Sequence, residues 1–345
     1  MSVGEKSVIF LLGAGCSFDA SVPVSSAMIQ KLESLLTKSY KDDLLSLYKY
    51  VKYTMDYGNK ISEKKQDFNI ESLLIMLHTL ADYKKSLMYP FVKGYTDDLR
   101  EYAGNKFDNI PKLIEVIENA LPGWVTLTSY RTASYYKHFQ SFQEELNFAI
   151  RIFSLNYDLC LEENVTCKIE TGFCEDSPWD GNAFTQTQDD EETAIYLYKL
   201  HGSIDWERQN GQLRKSAQHN IKADLIFGTD IKLQAIDPYL FYLYEFRKYA
   251  LAAEVIVAIG YSFNDNHIND LIRQAMDSDK DKKIICVGPV SNEEQEKLRI
   301  QERIQLNTTI DDRINIHNSG AKSFLENALS VEYVGKFLPQ PDLPF

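Results

Sequence analysis

Four short clusters of glycine and polar residues in this chain could bind a nucleotide or carry a proton. Each cluster directly follows an apolar stretch that has the composition of a buried strand. In an open α/β sheet, ligands bind beyond the carboxyl ends of the strands, so the clusters predict a ligand site at one edge of a sheet. They are Gly13-Ala14-Gly15-Cys16-Ser17, Ser154 to Asp158, Lys199 to Ser203 and Gly260 to His267.

The first cluster suits a phosphate group. Gly13, Ala14 and Gly15 follow a strand and precede a helix that begins after Pro23. Glycines let the backbone approach a pyrophosphate, while free N–H groups and the dipole of the following helix offset its charge. A plain tight turn is the alternative. Phe18 stands where the dinucleotide fingerprint has its third glycine, which disfavours an ordinary dehydrogenase.

The second and third clusters supply an amide, a carboxylate and an imidazole. At a strand end, Asn156 and Asp158 would point toward the ligand crevice; alternatively, Asp158 caps the next helix. His201 precedes Gly202, so the backbone can bend away beneath an imidazole that faces the crevice. A purely structural histidine is the other interpretation.

The fourth cluster offers further contacts. Gly260 and Ser262 could contact ribose or phosphate, and Asp265 either supports the site or caps the following helix. His267, inside that helix, is interpreted as structural.

Strands must position these clusters. Most of the β-branched segments precede helical patterns, which is typical of an α/β protein with a mostly parallel sheet. The segments are Ser7–Leu12, Ile152–Leu155, Ile195–Leu200, Ala223–Phe227, Glu254–Ile259, Lys283–Val287 and Arg313–His317. Roughly 140 residues with helical patterns separate the first two, which predicts a large helical insertion.

We therefore predict a sheet domain over 1–24 and 150–335, a helical insertion over 25–149, and a Pro-rich tail over 336–345. Residues 161–195 hold ten acids and one base and predict an exposed acidic loop. This loop carries −9 of the net charge of −13, which leaves −4 for the rest of the chain. Direct nucleic-acid binding is not expected without a partner.

No apolar run approaches the ~20 residues that span a bilayer, and the N-terminal apolar stretch is too short for a signal-peptide core. The five cysteines form no CxxC pair, which suits a reducing cytoplasm and gives no zinc-ribbon spacing. These features predict a cytoplasmic protein that binds no membrane.

In this order, the four clusters resemble the sirtuin superfamily. The resemblance rests on GAGxS followed by Pro23, on Ser154-x-Asn156-x-Asp158, on Leu200-His201-Gly202 and on Gly260-x-Ser262. It implies a Rossmann-like NAD-binding domain with Asn156 and His201 beside the nicotinamide ribose.

The chain also departs from sirtuin deacylases. It reads Val24-Ser25-Ser26 after the proline, has Leu155 before the motif asparagine, and has no cysteine between Gly202 and Gly260. The helical insertion, the missing zinc module and the element GYSFNDNHIN, which begins at Gly260, look more like the zinc-less sirtuin-like NAD hydrolases of bacterial anti-phage defence. That resemblance implies NAD as substrate, no zinc, and an effector that depletes NAD in abortive infection.

The implied products are nicotinamide and ADP-ribose. Asn156 would hydrogen-bond the attacking water or a ribose hydroxyl, and His201 would engage the ribose diol and act as general base. Gly13, Ala14, Gly15 and Ser17 would hold the pyrophosphate, with Asp158, Gly260, Ser262 and Asp265 as supporting contacts. A non-catalytic module that senses NAD or ADP-ribose, and a zinc-less protein deacylase, are the alternatives.

The resemblance further implies that the activity is gated by a trigger or partner. The expected assembly is a homo-oligomer, with an ATPase of the HerA type, an Argonaute-type protein or a fused sensor domain as partner.

Overall fold

The chain folds into two compact units. One comprises Met1–Val22 and Thr126–Phe345, and the other Pro23–Val125. The computed structural model describes residues 7–39, 43–61, 68–82, 97–104, 107–174, 177–186, 193–216, 223–225, 236–306 and 312–339.

The first unit is built on a seven-stranded sheet in the order β3-β4-β2-β1-β7-β8-β9, in which every neighbouring pair is parallel. The central strands are buried along their whole length because helices cover both faces of such sheets. A separate antiparallel hairpin joins β5 and β6. The strands are β1 Val8–Leu12, β2 Ile150–Ser154, β3 Lys168–Glu170, β4 Thr193–Lys199, β5 Trp206–Gln209, β6 Gln212–Lys215, β7 Val255–Ile259, β8 Lys283–Val287 and β9 Ile314–His317.

The chain reverses its direction of travel across the sheet at β1. After β1 it builds β2, β3 and β4 on one side, and afterwards β7, β8 and β9 on the other. Such a reversal is the point at which doubly wound sheets bind their ligands. The fold is therefore the α/β, Rossmann-like class that the sequence predicts.

The second unit is helical. Its helix α3 begins with a capping box, in which Asn69 and Ser72 bind each other's backbone N–H groups. Leu73, Leu74 and Leu77 are buried where α3 packs against α5. The helices are α1 Ser25–Ser39, α2 Asp43–Ile61, α3 Ile70–Ala81, α4 Asp97–Ala103 and α5 Asn109–Val125.

The helices of the first unit flank the sheet. Two of its helical segments, Ala14–Ala20 and Tyr130–Lys137, are 3-10 helices. The α-helices are α6 His138–Leu146, α7 Ala183–Gln186, α8 Tyr239–Ala252, α9 Asn266–Ser278, α10 Glu293–Ile304, α11 Ala321–Asn327 and α12 Val331–Gly335. No helix in the described ranges is long and apolar enough to cross a membrane.

The helical insertion ends earlier than the predicted boundary at residue 149. Residues 126–149 belong to the sheet unit because Phe139 and Phe142 of α6 pack edge-on against Phe10 of β1, at 5.3 and 5.4 Å between ring centroids. This segment forms the second 3-10 helix and α6, which follow each other directly.

The predicted acidic loop, 161–195, also differs from expectation in its described part. It contributes β3 to the sheet, and Phe184 is buried against Tyr198 at 4.7 Å between ring centroids. The acidic run 189–192 lies outside the described residues, as does the end of the tail, 340–345. Of the strand predicted over 223–227, the described residues make one isolated bridge, from Leu225 to Gly202.

Candidate functional site

The four sequence clusters lie side by side at the carboxyl edge of the sheet. Ser154 of β2 pairs in register with Lys199 of β4, so Asn156 and His201 each lie two residues beyond a matched pair. Ser154 is also opposite Leu12 of β1, which in turn is opposite Ile259 of β7. Across the edge, the order is therefore His201, Asn156, the Gly13 turn and the Gly260 turn.

The glycines of the two turns are required by contact between backbones. An added Cβ on Gly13 would lie 2.6 Å from the carbonyl oxygen of Gly260, and one on Gly15 would lie 2.9 Å from Gly260 Cα. Gly260 itself has φ +62°, and its Cβ would lie 2.2 Å from the backbone nitrogen of Cys16. Only glycine fits such an approach of two chains.

This packing also uses the backbone N–H groups of the first turn. The N–H of Gly13 donates to the carbonyl of Ile259 at 2.9 Å, and that of Gly15 donates to the carbonyl of Gly260 at 3.0 Å. The N–H of Cys16 turns back to Gly13. The N–H groups of Gly13 and Gly15 therefore join the two turns, and the predicted contact of Gly13, Ala14, Gly15 and Ser17 with a pyrophosphate stays a prediction. Ala14, between them, is half-buried.

Ser17 is the centre of a buried polar network. Its hydroxyl donates to Asp158 Oδ2 at 2.8 Å. Because the hydroxyl has one hydrogen, its other two contacts must be donated to it. Tyr136 Oη lies at 2.7 Å and Asn156 Nδ2 at 3.2 Å. Ser17, fully buried, therefore has all its hydrogen-bonding capacity used.

The network fixes the orientation of the Asn156 amide. Since Ser17 Oγ can only accept from Asn156, the NH₂ group faces Ser17 and the carbonyl oxygen faces away. Among the described residues, Oδ1 has no hydrogen-bond partner, and Asn156 is buried, with only 7% of its surface exposed. A buried carbonyl without a partner costs about 1–3 kcal/mol. Asn156 thus holds an acceptor in a fixed direction for a donor that the described residues do not supply.

Asp158 neither caps a helix nor faces an open crevice. Its Oδ1 accepts from the backbone N–H of Cys160 at 3.0 Å, which closes a turn, and its Oδ2 accepts from Ser17. Both oxygens are used inside the protein. The residue supports the site by holding Ser17, and through it Asn156.

His201 and Asp265 form a second buried pair. His201 Nε2 lies 3.1 Å from Asp265 Oδ2, and both side chains are buried. Asp265 Oδ1 also accepts from the N–H groups of His267 and Ile268, so it caps α9. Both interpretations of Asp265 that the sequence leaves open are therefore combined, one on each oxygen. A carboxylate held by a helix N-terminus is a rigid orienting group for an imidazole.

Ser262 is placed differently from these groups. It is exposed, and its backbone carbonyl accepts from Arg299 Nη1 of α10 at 2.9 Å. The predicted contact of Ser262 with a ligand remains a prediction.

Sequence reasoning missed three polar residues beside Asn156. Tyr136, Glu162 and Lys199 line a cavity of about 10 Å³ together with Asn156 and Asp158, a space for about one water molecule. Lys199 carries a sequence signal, since it is a charged residue in an otherwise apolar strand. Tyr136 carries none, because it lies 119 positions from Ser17.

The segment after His201-Gly202 is held together by aromatic side chains. Trp206 of the β5–β6 hairpin is buried and lies 5.2 Å from Phe173 and 6.2 Å from Tyr242 between ring centroids. No group of three His, Cys, Asp or Glu side chains within the described ranges is arranged to hold a metal ion. The expectation that the protein uses no zinc stays a prediction.

Comparison with known proteins finds Sir2 homologues among the solved structures that are similar to this chain. Three of the solved structures similar to the chain are a Sir2 homologue mutant with 2′-O-acetyl ADP ribose, a Sir2 homolog–NAD complex, and a Sir2 homologue mutant with ADP ribose. Their identities are 13%, 12% and 12%, with TM-scores of 0.45, 0.45 and 0.46. The alignments cover 98%, 96% and 96% of this chain, and 95%, 89% and 92% of those chains. No curated protein sequence matches the chain.

The family model described as the SIR2-like domain matches residues 150–307. This range contains Asn156, Asp158, His201, Gly260 and Asp265, and so three of the four clusters of the carboxyl edge. The segment from 150 to 307 is therefore similar to the SIR2-like domain, the family that the sequence motifs also resemble.

Proposed function

We propose that this protein hydrolyses NAD to nicotinamide and ADP-ribose. The observation that carries the proposal is the buried Oδ1 of Asn156, which has no partner among the described residues, on the strand next to the one that leads to the His201–Asp265 pair. Oδ1 is an acceptor with a fixed direction, suited to the O–H of a water or of a ribose hydroxyl. The imidazole of His201, which follows the neighbouring strand, can take up the proton that such a water loses.

The reaction breaks the bond between C1′ of the ribose and the nicotinamide nitrogen. Nicotinamide leaves as a neutral molecule from a cationic ring, so the leaving group needs no acid. The oxygen of water forms the new bond to C1′, and one water proton goes to His201. The protein must therefore hold the water and stabilise an electron-poor sugar, for which neutral, preorganised groups are suitable.

Each residue then has a distinct task. Asn156 accepts from the attacking water or the adjacent ribose hydroxyl, and His201 engages the ribose diol and acts as general base. Asp265 orients the imidazole, while Ser17 and Asp158 orient Asn156. Ala14 and Ser262 are proposed as contacts to the rest of the dinucleotide.

The biological role that we propose is NAD depletion in bacterial anti-phage defence. A hydrolase that destroys a shared cofactor must be held inactive until triggered. We therefore propose a cytoplasmic homo-oligomer whose partner is an ATPase, an Argonaute-type protein or a fused sensor domain.

The test is release of nicotinamide from NAD, followed by chromatography. Asn156→Ala and His201→Ala should each lower turnover by at least about 100-fold, measured at a temperature at which thermal unfolding shows both variants to be folded. Asn315→Ala is the matched control, because that half-buried asparagine lies on edge strand β9. Unchanged turnover in both site variants would overturn the assignment. A wild type that binds NAD without releasing nicotinamide, even together with the proteins encoded beside it, would indicate a sensing module instead.

A further inference from the structure

Lys199 is a charged residue buried at the end of a central strand. Its exposure is 2%, although lysine is almost never fully buried without a partner. Its ammonium donates to the backbone carbonyl of Asp158 and to Glu162 Oε1, the latter at 3.2 Å. Taking an ammonium out of water costs several kcal/mol unless such contacts compensate it. Lys199 therefore binds two residues of the loop after β2, Asp158 and Glu162.

The loop that Lys199 holds is the one that carries Asn156. Lys199 is opposite Ser154 in the sheet, so its side chain crosses from β4 to the neighbouring strand's loop. Asp158 is consequently clamped at both ends, with its carbonyl on Lys199 and its carboxylate on Ser17. Lys199, Glu162 and Asn156 line the same small cavity.

We propose that the Lys199–Glu162 ion pair is a positioning device that sets the Asn156 amide for its ligand, and that a proton on Glu162 releases it. The inference rests on the proposed function for its kinetic consequence, but the movement of Asn156 can be measured without it. Neither residue touches the reacting atoms in this proposal.

Protonation of Glu162 occurs at a higher pH than in an ordinary glutamate. Burial is the largest cause and raises the pKa of its carboxyl above the usual 4.5, while Lys199 opposes this and Asp205 and Asp158 add to it. Tyr130 shares these electrostatic surroundings, in which Cys160 and Glu163 also lie. As the pH falls through this raised value, Glu162 becomes neutral and Lys199 loses its counterion.

Activity and stability should then respond to pH in opposite directions. A glutamate whose pKa is raised by folding stabilises the fold below its unfolded pKa, and this stability is lost as the pH rises through the folded value. Positioning of Asn156 needs the ionised pair, so turnover should rise over the same interval. A residue with a purely structural role would move both quantities together.

The experiment compares Glu162→Gln, Lys199→Met and the double variant with Glu163→Gln, whose carboxylate is exposed. Turnover of NAD and thermal unfolding are measured across the acid range. In parallel, protein labelled with ¹⁵N-asparagine reports the side-chain amide of Asn156, identified by its loss in Asn156→Ala.

We expect Glu162→Gln to lower kcat by about tenfold with little change in KM, since small misplacements in a site have effects of that size or larger. In Glu162→Gln, the fall of turnover at acid pH and the pH-dependent shift of the Asn156 amide signal should both disappear. Glu163→Gln should keep both. The double variant should be more stable than Lys199→Met, because it leaves no unpaired buried charge, yet remain equally slow.

An Asn156 signal that titrates identically in wild type and Glu162→Gln would overturn the positioning role, whatever the turnover. If the Asn156 signal titrates with Glu162 but the protein releases no nicotinamide even with its partners present, the positioning role stands and the proposed hydrolase activity is wrong. The two failures are thereby distinguishable.

Discussion

The two halves of the carboxyl edge are built on different principles. On the β1–β7 side, the Gly13 and Gly260 turns are closed by backbone packed against backbone. On the β2–β4 side, side chains from distant parts of the sequence form the contacts, and Asn156 retains an unpaired oxygen.

The difference separates the demands of folding from those of a ligand. Residue types on the glycine side follow from the space between two turns, and the fold would require them with or without a ligand. On the polar side, an apolar residue could replace Asn156 at lower desolvation cost. Folding therefore does not explain why an amide stands at this position, whereas a ligand would. Substitutions should therefore affect mainly stability on the first side, and mainly activity where side chains face outward on the second.

The largest effect should come from Gly260→Ala. Its Cβ would meet the backbone of Cys16, in a left-handed conformation that alanine disfavours. We expect a loss of about 3 kcal/mol or more in the free energy of unfolding, measured by urea denaturation. Gly288→Ala is the matched control, since Gly288 directly follows β8 and its Cβ would meet nothing within 4 Å. Similar losses in both variants would refute the packing argument.

The second prediction concerns Ser17→Ala on the polar side. It removes the acceptor of Asn156 and the donor of Asp158, so the free energy of unfolding should fall by at least about 2 kcal/mol. Ser203 is equally buried, but its hydroxyl has no hydrogen-bond partner in the described part of the chain. Ser203→Ala should therefore leave stability unchanged or slightly higher. Equal destabilisation by the two variants would mean that the network adds nothing to the hydroxyl's burial.

The fold and the positions of the clusters could be predicted from sequence because they depend on local patterns. Continuous apolar segments indicate strands buried on both faces, and parallel strands bring their carboxyl ends to one edge. Strand β3 could not be predicted, because Lys168–Glu170 is too short to show a strand pattern and lies in an acidic segment. The end of the insertion was misplaced because α6 has the same helical pattern whether it packs on helices or on Phe10.

The contacts inside the site could not be predicted in this way. Nothing local to Tyr136 indicates that it meets Ser17, and the use of the Gly13 and Gly15 N–H groups depends on a turn after β7. Such contacts are set by tertiary packing. By contrast, the two possible roles of Asp265 were visible in sequence, because a cap and a strand end are both local features.

Asp265→Asn should separate those two roles. Asparagine caps helices as well as aspartate does, so Asp265→Asn keeps the cap on α9 and should lose less free energy of unfolding than Asp265→Ala does. The charge beside His201 is lost, and turnover of NAD should fall about tenfold, equivalent to ~1.4 kcal/mol. Asp265→Ala should show the same kinetic loss and a further ~1 kcal/mol of destabilisation from the missing cap. Full turnover in Asp265→Asn would make the residue a cap alone.

The smallest effect, and the sharpest comparison, comes from two adjacent tyrosines. Tyr136 donates to Ser17, whereas Tyr135 donates to the backbone carbonyl of Cys16 at 2.7 Å, and both are buried. Each change to phenylalanine removes one hydrogen bond and should cost about 1 kcal/mol of stability. Only Tyr136→Phe loosens the serine that orients Asn156, so only this variant should also lose turnover, by about fivefold. Equal turnover in the two variants would confine Tyr136 to stabilising the fold, because the network would then orient Asn156 through Asp158 and Ser17 alone.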